Sequence, residues 1–299
     1  MPTLVLATRR SALALAQTRQ FARALEAAHP GLQIAELQIV TSGDKTQDKP
    51  LVDIGGKGLF IKELEEALFD GRAHFAVHSI KDVPAEIAPG LTLACIPPRE
   101  DPRDVLISRG GERLADLPRG ARVGTSSLRR AVALRAARPD LVLEPVRGNV
   151  DTRLRKVQDG QFDAVVLALA GLRRLGWEER ATEILEPEVS LPAIGQGALG
   201  IECREGDAAT RAALAVMADE EASICVAGER AVMAAVEGSC RLPVAAYAIR
   251  EGGDLWLRAM LADPDGKNLR RGERRLGFPS DAREAERAGR DLGVELRSM

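Results

Sequence analysis

The sequence predicts an α/β fold, because short apolar segments of strand length alternate with longer amphipathic segments along the chain. Residues 3–7 form the first apolar run, residues 11–28 have helical periodicity, and residues 33–40 form the next apolar run. Ser11 is a suitable N-cap for this helix, because its hydroxyl can accept a hydrogen bond from a backbone N–H of the first turn. The start of the chain therefore predicts a strand, a helix and a second strand.

The same alternation continues to the end of the chain. The later predicted strands are residues 75–77, 91–96, 104–108, 122–124, 141–146, 162–168, 199–203, 245–250 and 255–261. Two further helices are predicted over residues 222–235 and 281–296. Residues 41–58 follow neither periodicity, and an irregular segment of this length in a compact domain is typical of a lid.

Two interruptions divide this pattern into domains. Residues 97–102 are rich in proline, and residues 185–200 contain two prolines and a Gly-Gln-Gly turn. The strand predicted at 199–203 is expected to return to the first domain. We therefore predict a first domain of residues 1–98 with about 198–216, a second of residues 103–192, and a small third α/β domain of residues 219–299.

The composition favours a globular protein of the cytoplasm. The 299 residues are 45% apolar and carry a net charge of −2, which argues against capture of nucleic acid by the whole surface. Four cysteines without a Cys-x-x-Cys pair, together with three histidines, predict neither a disulfide framework nor a metal site. The amino-terminal segment lacks the features of a secretory signal, and no apolar run reaches membrane-spanning length. We find no heptad pattern and expect a monomer.

Cys240 is the cysteine whose surroundings favour reactivity. It lies in a Gly-Ser-Cys-Arg-Leu-Pro turn, whereas Cys95, Cys203 and Cys225 have apolar neighbours. A cysteine among apolar residues usually behaves as a small buried hydrophobe, while an exposed turn permits reaction. The sequence therefore predicts one accessible thiol that can hold a group covalently.

Several arginines follow predicted strands, where an open α/β sheet binds its ligands. Thr125, Ser126 and Ser127 open a predicted helix, whose first backbone N–H groups can receive an anion. The arginines placed in this way are Arg9, Arg129, Arg130, Arg147 and Arg153. Because a guanidinium group matches carboxylates and phosphates, their joint occurrence predicts a ligand with many anionic groups.

Lys81 and Asp82 follow the strand predicted at 75–77, at the ligand end of the sheet. A partly desolvated carboxylate at this place can stabilise a cationic intermediate and move a proton. We therefore interpret Asp82 as a candidate catalytic group, with Lys81 beside it.

These motifs together resemble the porphobilinogen deaminase family, also called hydroxymethylbilane synthases, over nearly the whole chain. The matching segments are Ala-Thr-Arg at 7–9, Gly-Gly-Lys-Gly-Leu-Phe at 55–60, His-Ser-Ile-Lys-Asp-Val-Pro at 78–84, Gly-Thr-Ser-Ser-Leu-Arg-Arg at 124–130, Arg-Gly-Asn-Val-Asp-Thr-Arg at 147–153, Leu-Pro-Ala-Ile-Gly-Gln-Gly at 191–197 and Gly-Ser-Cys at 238–240. The resemblance implies a transferase of porphyrin and haem biosynthesis. It would join four porphobilinogen molecules head to tail with release of ammonia, giving hydroxymethylbilane.

The resemblance also implies an architecture and a cofactor. The first two domains would resemble the halves of a type II periplasmic binding protein around a cleft, with residues 41–58 as a mobile cover. The third domain would carry a dipyrromethane cofactor on Cys240. Asp82 would stabilise the azafulvene cation that loss of ammonia leaves, and the arginines would bind the carboxylates of cofactor and substrate. Residues implied as binding groups are Arg9, Ser11, Gln17, Lys57, Phe60, Ser79, Lys81, Thr125, Ser126, Ser127, Arg129, Arg130, Arg147, Arg153, Arg174 and Gln196.

Two other functions remain open at the level of sequence. A non-catalytic cytosolic protein that binds a polyanion would use the same arginines, but it would need neither Asp82 nor Cys240. A cysteine acyltransferase would need a histidine near Cys240, and all three histidines are distant from it in sequence. Incubation with porphobilinogen distinguishes the three, because only a deaminase releases ammonia from it.

Overall fold

The computed structural model describes residues 3–45, 61–236 and 242–299. Contacts between Cα atoms divide the chain into two compact units. The first unit comprises Met1–Arg99 and Ala198–Ile224, and the second comprises Glu100–Gly197 and Cys225–Met299. In the described part of the chain, no helix is long and apolar enough to cross a membrane.

Strands and helices alternate through both units. The strands are β1 (Thr3–Arg9), β2 (Gln33–Ile39), β3 (Phe75–Ser79), β4 (Leu91–Cys95), β5 (Asp104–Ser108), β6 (Arg122–Gly124), β7 (Val142–Glu144), β8 (Ala164–Ala168), β9 (Glu183–Leu185), β10 (Leu199–Arg204), β11 (Val244–Glu251), β12 (Asp254–Leu261) and β13 (Arg270–Gly277). The helices are α1 (Ala12–Ala28), α2 (Ser42–Lys45), α3 (Lys62–Phe69), α4 (Leu128–Ala137), α5 (Val150–Gln158), α6 (Leu169–Leu175), α7 (Ala208–Ala215), α8 (Glu220–Ala235) and α9 (Ala282–Ser298).

The first unit is built on a five-stranded sheet of order β2-β1-β3-β10-β4. Strand β1 is parallel to β2 and β3, whereas β10 is antiparallel to both of its neighbours. Side chains alternate between the two faces. Leu6 and Phe75 pack in one cluster with Phe21 of α1, and Ala7 packs on the opposite face with Leu64 of α3. Helices therefore cover both faces of the sheet.

The second unit contains a five-stranded sheet of the same design, in the order β7-β6-β8-β5-β9. Strands β7, β6 and β8 are parallel to one another, and the fourth strand, β5, is antiparallel to both of its neighbours, β8 and β9. Val105 and Val165 pack on one face with Leu154 of α5, while Leu106 packs on the other with Leu134 of α4. The two sheets thus repeat one topology.

A smaller antiparallel sheet, β11-β12-β13, completes the second unit. Helix α9 contacts β12 and β13, and it packs closely against α8. A Cβ placed on Gly289 of α9 would lie 2.1 Å from the carbonyl oxygen of Gly228 in α8, so only glycine permits this approach. On the opposite face of the sheet, Ala245 and Met260 pack against Val132 of α4.

The structure confirms the α/β class, the two similar halves and the small third sheet expected from the sequence. It also confirms that the strand at 199–203 returns to the first sheet. The domain bounds and the cleft between the halves stay predictions. Strand β13 was not predicted, because its sequence is mostly arginine and glycine rather than alternating apolar residues. The segment predicted as irregular at 41–58 begins with the single turn α2, and its residues beyond 45 lie outside the described part.

Candidate active site

A small cavity in the first unit collects five of the predicted site residues. Strands β1 and β3 run parallel, so their carboxyl ends meet at the same edge of the sheet. Arg9 ends β1 and Ser79 ends β3. The cavity at this edge has a volume of about 80 Å³. The predicted site residues that line it are Arg9, Ser11, Gln17, Ser79 and Asp82.

Local structure explains how these side chains reach the cavity. Ser11 caps α1, as predicted, and its Oγ accepts from the backbone N–H of Ala14. Gln17 lies one and a half turns further along α1 and accepts a hydrogen bond of 3.4 Å from Ser79 Oγ. Asp82 belongs to a short 3-10 helix, Ile80–Asp82, that turns the chain directly after β3. Lys81 lies on the same turn but is not among the residues that line the cavity.

The sequence interpretation gave no site role to His78, which also lines this cavity. Its Nε2 lies 3.0 Å from Oε2 of Glu202 on β10, and both side chains are almost completely buried. Burial raises the pKa of nearby Glu65, repulsion from Glu202 adds to this, and His78 opposes it. The signal that could have identified His78 as a site residue is its position in a buried strand, directly before the end that faces the ligand. The carboxylate partner comes from 124 residues away and could not be recognised in sequence.

In the second unit, the serine-rich turn after β6 is tied to the neighbouring loop. Ser126 Oγ donates to the carbonyl oxygen of Val146 at 2.7 Å, which joins this turn to the segment that carries Arg147. Ser127 caps α4, and Thr125 Oγ1 accepts from the backbone N–H of Ser127. The turn therefore opens a helix as predicted, and its hydroxyls also organise the loop.

Arg129 and Arg130 turn inward from α4 rather than toward solvent. Both bind Asp104, a fully buried residue at the start of β5. Gln196 Nε2 donates to Asp104 Oδ1 at 2.9 Å, and Ser190 Oγ donates to Oδ2 at 2.7 Å. Burial alone would raise the pKa of Asp104, but the charges and hydrogen bonds of the two arginines outweigh it and hold that pKa well below its ordinary range. These arginines and Gln196 thus have a structural role, and their contact with a ligand stays a prediction.

Arg153 and Arg147 add positive charge beside this cluster. Arg153 donates from Nε to the carbonyl oxygen of Gly148 at 2.8 Å. Burial lowers the pKa of Arg153 to about 10, and repulsion from Arg130 and Arg147 adds to the shift. Among the described residues, Arg147 has no side-chain hydrogen bond or ion pair. Arg153 therefore lies near two further guanidinium groups, and in the described part of the chain neither Arg147 nor Arg153 has an ion pair with an acidic side chain.

Arg174 is a further partly buried cation in the second unit. Its Nη2 donates to the carbonyl oxygen of Gly197 at 2.6 Å. Burial lowers the pKa of Arg174 to about 10, although attraction to Glu100 opposes the shift. An arginine whose pKa is lowered in this way is stabilised by an added anion. Arg153 and Arg174 are therefore suited to an anionic ligand.

The three cysteines expected to be buried are buried. Cys95, Cys203 and Cys225 have at most 5% exposure. Burial raises the pKa of Cys95 to about 12 and that of Cys203 to about 11. Thiols of this kind react poorly, because the thiolate is the nucleophile. Cys240, Lys57 and Phe60 lie outside the described residues.

Solved structures that match part of this chain share little sequence with it. A double mutant of the VFT2 domain of Bordetella pertussis BvgS is 16% identical, with 72% of this chain and 85% of that chain covered and a TM-score of 0.44. CbnR, a LysR family transcriptional regulator, is 14% identical, with 72% of this chain and 68% of that chain covered and a TM-score of 0.45.

Sequence relatives match the chain much more closely. The porphobilinogen deaminase of Sorangium cellulosum (strain So ce56) is 76% identical over 298 residues, which cover 99% of both chains. That of Roseiflexus castenholzii (strain DSM 13941 / HLO8) is 54% identical over 268 residues, 90% of this chain and 88% of the relative. The family model "Porphobilinogen deaminase, dipyromethane cofactor binding domain" matches residues 4–212, and the model "Porphobilinogen deaminase, C-terminal domain" matches residues 223–298. The chain belongs to the porphobilinogen deaminase family.

Proposed function

We propose that the chain joins four porphobilinogen molecules head to tail to give the linear tetrapyrrole hydroxymethylbilane. In each addition the bond from the aminomethyl carbon to nitrogen breaks, ammonia leaves, and that carbon forms a bond to the free α-carbon of the preceding pyrrole. The α-carbon then loses its proton. The observation that carries the proposal is the family match over nearly the whole chain. The chemistry of the two side-chain clusters agrees with it.

Asp82 is the group that we assign to the charged step. Loss of ammonia leaves a cation delocalised over the ring of the substrate, and a nearby carboxylate stabilises that charge. Asp82 lines the cavity at the edge of the first sheet together with Arg9 and Ser79. In this assignment Asp82 interacts with the pyrrole N–H and the developing cation, while Arg9 and Lys81 bind carboxylate side chains of the substrate.

The arginines of the second unit are assigned to the anionic side chains. Each pyrrole carries an acetate and a propionate, so every addition increases the negative charge that the protein must bind. Arg147, Arg153 and Arg174 are partly buried, and for Arg153 and Arg174 burial has lowered the pKa. An added carboxylate relieves their repulsion, which favours a polycarboxylate over a neutral ligand. At the start of α4 we assign the hydroxyl groups of Thr125 and Ser127 and the backbone N–H of Ser126 as further donors to the ligand.

The dipyrromethane cofactor fits this cationic cluster, and we propose that Cys240 holds it covalently. When bound, it supplies the pyrrole α-carbon that receives the first substrate. Cys95 and Cys203 are excluded as attachment sites by burial and by the raised pKa of their thiols. Cys225 is 4% exposed, which excludes it by burial. We also assign Lys57 and Phe60 to the substrate site, on the resemblance of their motif.

We propose further that the chain acts as a monomer in the cytoplasm, in the three domains predicted from its sequence. The chain itself carries both side-chain clusters that the reaction needs, which supports a monomer. The free thiols of Cys95 and Cys203 suit a reducing compartment.

The experiment is incubation of the purified protein with porphobilinogen, followed by intact-protein mass spectrometry. We expect release of ammonia, a product that oxidises to uroporphyrin, and a protein mass increased by two linked pyrrole units. Cys240→Ser should lack the added mass and the activity, whereas the control Cys203→Ala should keep both. The protein should be purified from cells that make porphobilinogen. If it then carries no added mass and releases no ammonia, it is instead a polyanion-binding protein.

A further inference from the structure

A second cavity lies away from the proposed active site, within the second unit. It has a volume of about 460 Å³ and opens between the segment that follows β9 and the face of the third sheet that packs against α4. None of its lining residues belongs to the site described above. Cavities that bind small molecules commonly measure about 300–1,000 Å³. This cavity is therefore large enough for a small organic ligand.

The inner walls of the cavity are apolar. Val189 and Leu191 form one side, and Ala133 of α4 and Met260 of β12 form the other. Met260 is only 2% exposed and packs in a cluster with Leu191. A ligand that fills this space must therefore place an apolar body between these side chains.

Arg258 supplies a polar group at the wall whose hydrogen bonding is incomplete. Its Nη1 lies 2.7 Å from Oε1 of Glu188, and its guanidinium carbon lies 3.9 Å from the centre of the Trp256 ring. Its Nε is buried and has no hydrogen-bond partner in the described part of the chain. A buried N–H without a partner is unfavourable, and an acceptor atom of a ligand that reaches Nε as the neighbouring side chains shift would satisfy it.

A second donor lies on the outer strand at the rim of the cavity. Arg271 of β13 is exposed and has no ion pair among the described residues. The acidic residues of the lining are already engaged, because Glu188 binds Arg258 and Glu273 accepts from the indole N–H of Trp256 at 2.9 Å. The free donors of the lining are thus arginine N–H groups, which prefer a carboxylate.

We propose that this cavity binds a small carboxylate with an apolar body, such as a substituted benzoate or a branched aliphatic acid. The body packs against Val189, Leu191 and Met260, and the carboxylate accepts from Arg258 Nε and Arg271. One carboxylate suffices for these two donors. The site therefore differs in preference from the arginine cluster, which suits ligands with several carboxylates.

The probe for this site is 4-tert-butylbenzoate, with 4-tert-butylbenzamide as its neutral counterpart. The chain has two tryptophans, so Trp177→Phe leaves Trp256 as a single fluorescent reporter beside the cavity. We expect saturable quenching or enhancement of Trp256 fluorescence by the benzoate, and an affinity for the benzamide that is about tenfold weaker. Absence of saturable binding, or equal affinity for the two compounds, overturns the proposal.

Variants of the protein test whether the probe binds in this cavity. Arg271→Gln should weaken benzoate binding about tenfold and leave benzamide binding unchanged. Val189→Trp fills a partly exposed position of the wall and should abolish binding, with an unchanged melting temperature as proof of folding. The matched control Arg290→Gln removes an exposed arginine of α9 and should have no effect. Benzoate binding that survives Val189→Trp, or that disappears in Arg147→Gln, would assign the probe to another place and contradict the proposal.

Discussion

Arg129 binds Asp104 through both terminal nitrogens of its guanidinium group, with Nη1 2.8 Å from Oδ2 and Nη2 3.2 Å from Oδ1. Arg130 binds Oδ1 of the same carboxylate through Nε at 3.1 Å and Nη2 at 2.8 Å. All three side chains are buried, so one negative charge is shared between two positive charges. The cluster of Asp104, Arg129 and Arg130 therefore has a net positive charge before any ligand binds.

Replacing Asp104 should destabilise the protein strongly. Asp104→Asn keeps the size of the side chain but leaves two buried guanidinium groups without a counter-charge. We expect a loss of about 3–5 kcal/mol in the free energy of unfolding. Urea denaturation at neutral pH measures it. Asp159→Asn, at an exposed residue of the second unit whose side chain has no hydrogen bond or ion pair with the described residues, is the matched control and should change stability little.

The contribution of Asp104 should also depend on pH. Its pKa is lower in the folded state than in the unfolded state, where it is close to 3.8. The unfolded state therefore takes up the proton first, so the stabilisation is complete above about pH 4 and decreases as the pH falls below that value. The stability difference between wild type and Asp104→Asn should shrink in acid. A difference that is constant from pH 7 to about pH 3 would contradict the assigned shift.

Asp82→Asn should nearly abolish turnover without unfolding the protein. An amide has the shape of the carboxylate but cannot balance a developing positive charge, so we expect a loss of at least about 100-fold in kcat. Porphobilinogen consumption and far-ultraviolet circular dichroism measure the two properties. Asp70→Asn, at an exposed residue paired with Arg72, should be as active as wild type. Near-normal turnover by Asp82→Asn would remove Asp82 from the reaction.

Arg153 should reduce stability when no ligand is bound. Because its pKa is lowered to about 10 in the folded state, its positive charge is unfavourable for folding at every pH below that value. In the Cys240→Ser background, which is expected to lack the cofactor, Arg153→Met should stabilise the protein by roughly 1–2 kcal/mol. The same change in a protein with Cys240 intact should lower activity. Loss of stability in the Cys240→Ser background would show that Arg153 is already balanced within the protein.

Arg147→Ala should stall chain growth rather than prevent the first addition. The residue has no side-chain hydrogen bond among the described residues, so its removal should affect ligand binding more than folding. Mass spectrometry of the protein during turnover should show a changed distribution of covalent intermediates. Arg155→Ala, at an exposed position of α5, is the control. An unchanged distribution would show that Arg147 does not bind the growing chain.

The sequence predicted the α/β pattern well, because buried strands and helix caps leave local signals. Ser11 as the N-cap of α1 and Asp82 in the turn after β3 are cases in which local sequence determined the position. The inward direction of Arg129 and Arg130 was not predictable, since it depends on Asp104 in a strand about 25 residues earlier. The hydrogen bond between His78 and Glu202 joins β3 to β10, and this long-range contact has no local signal. Strand β13 was missed because its outward residues are charged and its inward Gly272 packs against Leu292.

The antiparallel strand β10 affects the order in which the chain can fold during synthesis. It lies between β3 and β4, which are complete by residue 95, but its own residues begin at Leu199. A nascent chain that ends before Leu199 therefore exposes the unpaired edges of β3 and β4, and such edges favour aggregation. The sheet of the second unit, which lies between these segments in the sequence, can assemble while the first sheet is still incomplete. The unit that is translated first is thus expected to finish folding after the sheet that follows it, and fragments truncated before Leu199 should require chaperones to remain in solution.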